Sequence, residues 1–81
     1  MTLAERNERE VERIIHAFTD CSSEFVGLNR HHVYASELSQ LERVKTAIVN
    51  ANCSADFEPI FVNGLVAMEV STPRIINELS A

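Results

Sequence analysis

The side chains best suited to nucleophilic or metal chemistry here are three histidines, His16, His31 and His32, and two cysteines, Cys21 and Cys53. Zinc sites commonly pair ligands in Cys-x-x-Cys or His-x-x-x-His spacing, which places both on one loop or helix face. Neither spacing occurs. Adjacent residues of a strand point to opposite faces, so His31 and His32 would not converge. The expectation is an exposed polar histidine pair, no metal and no cofactor. The histidines could act as a pH switch only if burial or a carboxylate partner accompanied them, and the sequence marks neither. A thiol becomes a nucleophile when a base or positive surroundings favour the thiolate. Cys21 stands beside Asp20 and Ser22, and Cys53 ends an apolar helix face, so both are read as free, packed thiols.

Other catalytic patterns are missing too. Gly27 and Gly64 are isolated and build no phosphate-cradling loop, which excludes nucleotide hydrolysis in its usual form. Paired carboxylates doing acid–base work need a cleft that raises one pKa, and a chain of 81 residues rarely encloses one alone. The chain is therefore read as non-catalytic.

Hydrophobic residues make up 46% and charged residues 23%, ordinary values for a folded protein, and the length suits one domain spanning 1–81. No apolar run reaches the roughly 18 residues of a membrane span. The acidic N-terminal stretch is unlike a signal peptide, so a cytoplasmic location is the default. The formal net charge is −5, and residues 54–81 carry four acids against Arg74 alone. One lysine and six scattered arginines give no footprint for a phosphate backbone, so direct nucleic-acid binding is not expected.

These residues must be positioned by local elements. Thr2-Leu3-Ala4-Glu5 is a capping-box pattern, and Val11, Ile14, Ile15 and Phe18 recur at helical spacing behind it. Glu24 to Ala35 alternates poorly; one short strand is expected there, either through Phe25, Val26 and Leu28 or over His31 to Ala35, where Val33 and Ala35 would share one face and His32 and Tyr34 the other. Ser36 or Ser39 caps a second helix whose stripe is Leu38, Leu41, Val44, Ile48 and Ala51, running to about Asn52. Thr72-Pro73 predicts a short closing helix buried through Ile75, Ile76 and Leu79. The fold class is α+β: helix, short strand, helix, β-hairpin, short helix, without an internal sequence repeat.

Asn63-Gly64 is the strongest local signal, because a type I′ turn needs two residues tolerant of positive φ. The resulting register sets Val62 against Leu65, Phe61 against Val66, Ile60 against Ala67, Pro59 against Met68 and Glu58 against Glu69. Pro59 then turns its missing N–H outward, making 57–62 an edge strand and leaving 65–70 to pair with any third strand. One face, with Phe57, Pro59, Phe61, Val66, Met68 and Val70, is assigned to the core. The other carries Glu58, Ile60, Val62, Leu65, Ala67 and Glu69, with Asp56 nearby. The first helix either covers this face or leaves it as an interface. Glu58 and Glu69 should repel by a few tenths of a kcal/mol unless a basic partner intervenes; the alternative is that they serve only to deter edge aggregation.

The partner-binding candidates are thus Asp56, Glu58, Ile60, Val62, Leu65, Ala67 and Glu69. The expected function is that of a small acidic binding or regulatory protein engaged in a protein–protein interaction, for instance an inhibitor of a protein with a basic nucleic-acid-binding groove. Two alternatives stand beside it: a homodimeric structural or assembly subunit, and a small enzyme or ligand-binding domain with a site at a dimer seam.

Overall fold

The structure, a computed structural model, describes residues 2–62 and 64–76. The elements are α1 (Leu3–Ala17), β1 (Ser22–Gly27), β2 (Arg30–Ala35), α2 (Leu38–Asn50), β3 (Asp56–Val62) and β4 (Leu65–Ser71). The four strands form one antiparallel sheet in the order β1-β2-β4-β3. A helix followed by a hairpin therefore occurs twice, although the sequence shows no repeat, and the two hairpins meet along β2 and β4.

Helix α1 begins as its residues dictate. Glu5 N–H donates to Thr2 Oγ1 at 3.1 Å, and Thr2 N–H donates to Glu5 Oε1 at 3.2 Å, so two otherwise free backbone donors are satisfied. Helix α2 starts differently from the expectation, because neither Ser36 nor Ser39 is its N-cap. Glu37 holds that position, and Gln40 Oε1 accepts from the N–H groups of Ser36 and Glu37 at 3.1 and 2.9 Å. At the other end Asn52 adopts φ 59°. Its N–H donates to Val49 O and that of Cys53 to Ile48 O, the paired bonds of a Schellman ending. Asn7 then ties α1 to the segment beyond α2, accepting from Ser54 N–H at 2.7 Å and donating to Ser54 O at 2.8 Å.

The hairpin register of β3 and β4 agrees with the expectation at every pair from Glu58–Glu69 to Val62–Leu65. Strand β3 is an edge, as Pro59 requires, and β2 pairs along β4 from Arg30–Ser71 to Ala35–Val66. Asn63 lies outside the described residues, but Gly64 has the positive φ, 73°, that the turn demands.

Three expectations need correction. Residues 22–35 contain two strands rather than one, joined by Leu28 and Asn29 with φ 53° and 59°, with a register shift in β1 between Phe25 and Gly27 just before the turn. Like a type I′ turn it places positive φ at two successive residues, but it is made from residues that do not advertise it. The closing helix is not present over Thr72–Ile76, and Leu79 lies outside the described residues. Thr72 instead extends the sheet end: its N–H donates to Asn29 O at 3.0 Å and its hydroxyl to the same oxygen at 3.4 Å, so the hydroxyl is not free to cap. Phe61 and Pro59 are exposed rather than core, because they sit on the edge strand beyond the cover of the helices.

The core joins Val11, Ile14 and Ile15 of α1 and Leu41, Val44 and Ile48 of α2 to Val33, Ala35, Met68 and Val70 of the central strands. The strand residues all belong to one face of the sheet, since Val33 pairs with Met68 and His31 with Val70. Both helices therefore pack on the same side. Six of these side chains, Val11, Ile15, Val33, Val44, Ile48 and Val70, are essentially inaccessible, each contributing roughly 1.5–3 kcal/mol of burial.

Candidate protein-docking face

With α1 and α2 on one side, no element among the described residues covers the other side of the sheet. The idea that the first helix shields it does not hold. Pairing across the four strands builds this face in rows: Ser22, Tyr34, Ala67 and Ile60; Glu24, His32, Glu69 and Glu58; then Arg30, Ser71 and Asp56. Leu65 extends the apolar row toward the hairpin tip, where Val62 occupies the register position opposite it.

The sequence-derived candidates thus come together on one surface. Asp56, Glu58 and Leu65 are exposed, Leu65 by 47%, while Ile60 and Glu69 are half-buried. Ala67 is buried although no helix touches its face; its methyl lies between the larger Tyr34 and Ile60 of the flanking strands, which shelter it. An aromatic and aliphatic strip therefore runs across the sheet beside a row of ionisable groups.

The carboxylates on this face are not equivalent. Glu69 Oε1 lies 3.0 Å from His32 Nε2 and 3.8 Å from Arg30 Nη1, so cross-strand neighbours of the same chain flank it and the Arg30 guanidinium offsets its charge. The Glu58–Glu69 repulsion is relieved internally, without a partner. Glu24 accepts from the Tyr34 hydroxyl at 3.4 Å. Partial burial, and then the Glu24 charge, hold the Tyr34 phenol above its ordinary range. Among the described residues, Asp56 and Glu58 have no cation within ion-pair distance. Glu24, whose partner is only the Tyr34 hydroxyl, likewise has no cation, so Asp56 and Glu58 are the carboxylates of the face with neither a cation nor a side-chain hydrogen bond among the described residues.

The two histidines split between the faces as a strand requires, but they are not an exposed pair. His31 is only 3% exposed on the helix side, where its Nε2 meets Glu8 Oε1 of α1 at 2.9 Å. The sequence expectation of two solvated rings fails because the partners, Glu8 and Glu69, come from elements distant along the chain. Cys21 and Cys53 are free and half-buried. Cys21 donates to Asp20 Oδ1 at 3.7 Å rather than meeting a histidine. Burial first and Asp20 second push the Cys21 thiol up; burial and then Glu10 do the same for Cys53. A Cys21–histidine nucleophile is not assembled.

Comparison with models of known protein families, with curated proteins and with solved structures finds no match. No helix among the described residues is long and apolar enough to cross a membrane.

Proposed function

We propose that this chain is a non-catalytic binding and regulatory module that docks a protein partner through the bare sheet face. The observation that carries the reading is the placement of both helices on one side, which leaves Tyr34, Ile60 and Leu65 on an unshielded surface. Exposed apolar strips bordered by polar groups are characteristic of interaction sites. The free carboxylates Asp56 and Glu58 select a partner with Lys or Arg beside an apolar contact, consistent with the net charge of −5. A basic nucleic-acid-binding groove has that chemistry, and occupying it would make the module an inhibitor.

A second copy of the chain is the less favoured occupant. A two-fold contact through this face would bring Glu24, Asp56 and Glu58 of one copy into the same interface as the same three acids of the other, and like charges in an interface are costly. The strand edge at 65–70, which could have continued the sheet into a second copy, is already occupied by β2.

The test compares capture of host proteins by the parent, by Ile60→Glu and by the pair Asp56→Asn with Glu58→Gln. The reading expects a stoichiometric partner that Ile60→Glu loses and that the amide pair binds more slowly, with a flatter dependence on salt. A partner held equally by all three refutes the face. So does a homodimer in sedimentation equilibrium that Ile60→Glu dissociates.

A further inference from the structure

On the opposite side of the sheet a different group of side chains converges. Glu8 and Glu12 stand four apart on α1 and so project from the same helix face. His31 reaches them from β2. Their ligand atoms all lie within 4.8 Å of one another. The arrangement differs from a surface acidic cluster in that the imidazole is 3% exposed and its Nε2 is aimed at the carboxylates, while both glutamates are half-buried. The ring is also held by Phe25, which packs in an edge-to-face arrangement with it, centroids 5.3 Å apart.

The charges in this cluster do not balance internally. Two like charges at helical i, i+4 spacing repel, and one imidazole is the only basic group within ion-pair distance of either among the described residues. Arg9 and Arg74 line the cleft on the outer side of Glu8 but form no ion pair with it. Glu12 has no hydrogen-bond partner among the described residues.

The geometry points to a binding site for a first-row divalent transition-metal ion, held by His31 Nε2 and one carboxylate oxygen each from Glu8 and Glu12. One imidazole with two carboxylates suits Zn²⁺ and its neighbours in the series, whereas Ca²⁺ and Mg²⁺ favour all-oxygen shells. Three protein ligands leave the remaining positions to water. Binding replaces the His31–Glu8 hydrogen bond with two metal–ligand bonds, the metal taking the Nε2 lone pair of the neutral ring, whose single proton then sits on Nδ1. The site escapes the usual spacing rules because two of its ligands are glutamates and the third is distant in sequence.

Zinc titrated calorimetrically into the reduced, folded chain tests this, with Glu12→Gln and the double variant Cys21→Ser, Cys53→Ser as comparisons. One Zn²⁺ per chain is expected, bound equally by the serine variant and at least tenfold more weakly by Glu12→Gln, whose melting curve should match the parent because Glu12 is not a core residue. His31→Gln removes a buried side chain and can unfold the protein, so the histidine is followed in the parent instead. The His31 Nε2 nitrogen resonance should move on adding Zn²⁺, and the Co²⁺ complex should lack a thiolate charge-transfer band. No binding, unchanged affinity in Glu12→Gln, loss of binding in the serine variant, an unmoved His31 resonance, or displacement by equal Ca²⁺ would each overturn the assignment.

Discussion

Gly64→Val isolates the conformational demand of the turn that presents Leu65 and Ile60. Gly64 sits at φ 73°, and a Cβ built there meets nothing within 4 Å, so the substitution neither clashes nor gains packing. What remains is the backbone. A left-handed conformation costs an L-residue roughly 1–2 kcal/mol, and more when the side chain is β-branched. Against this, Val has less freedom than Gly in the unfolded chain, which returns about 0.4–1 kcal/mol. The difference is about 0–1.6 kcal/mol for an unbranched residue, and the added strain of a β-branched side chain brings the expected loss for Val to at least about 1 kcal/mol. Urea denaturation followed by far-UV circular dichroism reads this as a lower midpoint at unchanged slope. A synthetic chain with D-alanine at 64 supplies the control, because a D-residue favours positive φ while restricting the unfolded state, so it should be as stable as the parent or more so. Equal midpoints for Val and parent would refute the reasoning. D-alanine destabilising as much as Val would locate the effect in the side chain rather than in φ.

Two further outcomes follow from the titrating groups. Asp20 accepts from Gln40 Nε2 and Arg43 Nη2, each at 3.1 Å, and the Gln40 bond first, with Arg43 adding, holds its carboxyl below the ordinary range. A carboxyl depressed in the folded state adds stability above its unfolded pKa and loses it as pH falls through the folded one. Asp20→Asn should therefore flatten the acid limb of the stability profile, and identical limbs for variant and parent would count against this link between the α1–β1 loop and α2. Because burial raises both thiols, Cys21 and Cys53 should alkylate with iodoacetamide more slowly in the native than in the urea-unfolded chain, and equal rates would contradict their placement.

Signals that are local in the chain were readable, and those that depend on distant partners were not. Thr2 and Glu5 announce α1 because both halves of the cap lie within one turn. Asn63-Gly64 and Pro59 together specify a register and an edge, since turn chemistry and a missing donor act within the hairpin itself. The first hairpin uses a similar turn but builds it from Leu28 and Asn29, and leucine at φ 53° carries no turn signature. Thr72 reads as a cap until Asn29 O claims both its N–H and its hydroxyl. The candidate face was outlined from the hairpin alone, but its charge balance was not. Glu69 looked like half of a repulsive pair because His32 and Arg30 reach it only across the β2–β4 ladder. Glu8 and His31 escaped for the same reason, being joined by packing rather than by spacing.

The twice-occurring order of helix and hairpin also bears on how the chain assembles. Each hairpin closes through a two-residue connection, an event of microseconds that needs little loop entropy. The ladder from Ala35–Val66 to Arg30–Ser71 is different, because it joins residues far apart in sequence and must pay for closing the whole intervening chain. Among the described residues it is also the only strand pairing between the two halves, and it carries the core residues Val33, Ala35, Met68 and Val70. Neither hairpin can bury its apolar side well until that seam zips, so the two halves gain stability together rather than in turn. The seam is thus central to cooperativity: a fault in either outer strand loosens an edge, whereas a fault between β2 and β4 leaves the halves joined by helix packing and the Asn7–Ser54 tie.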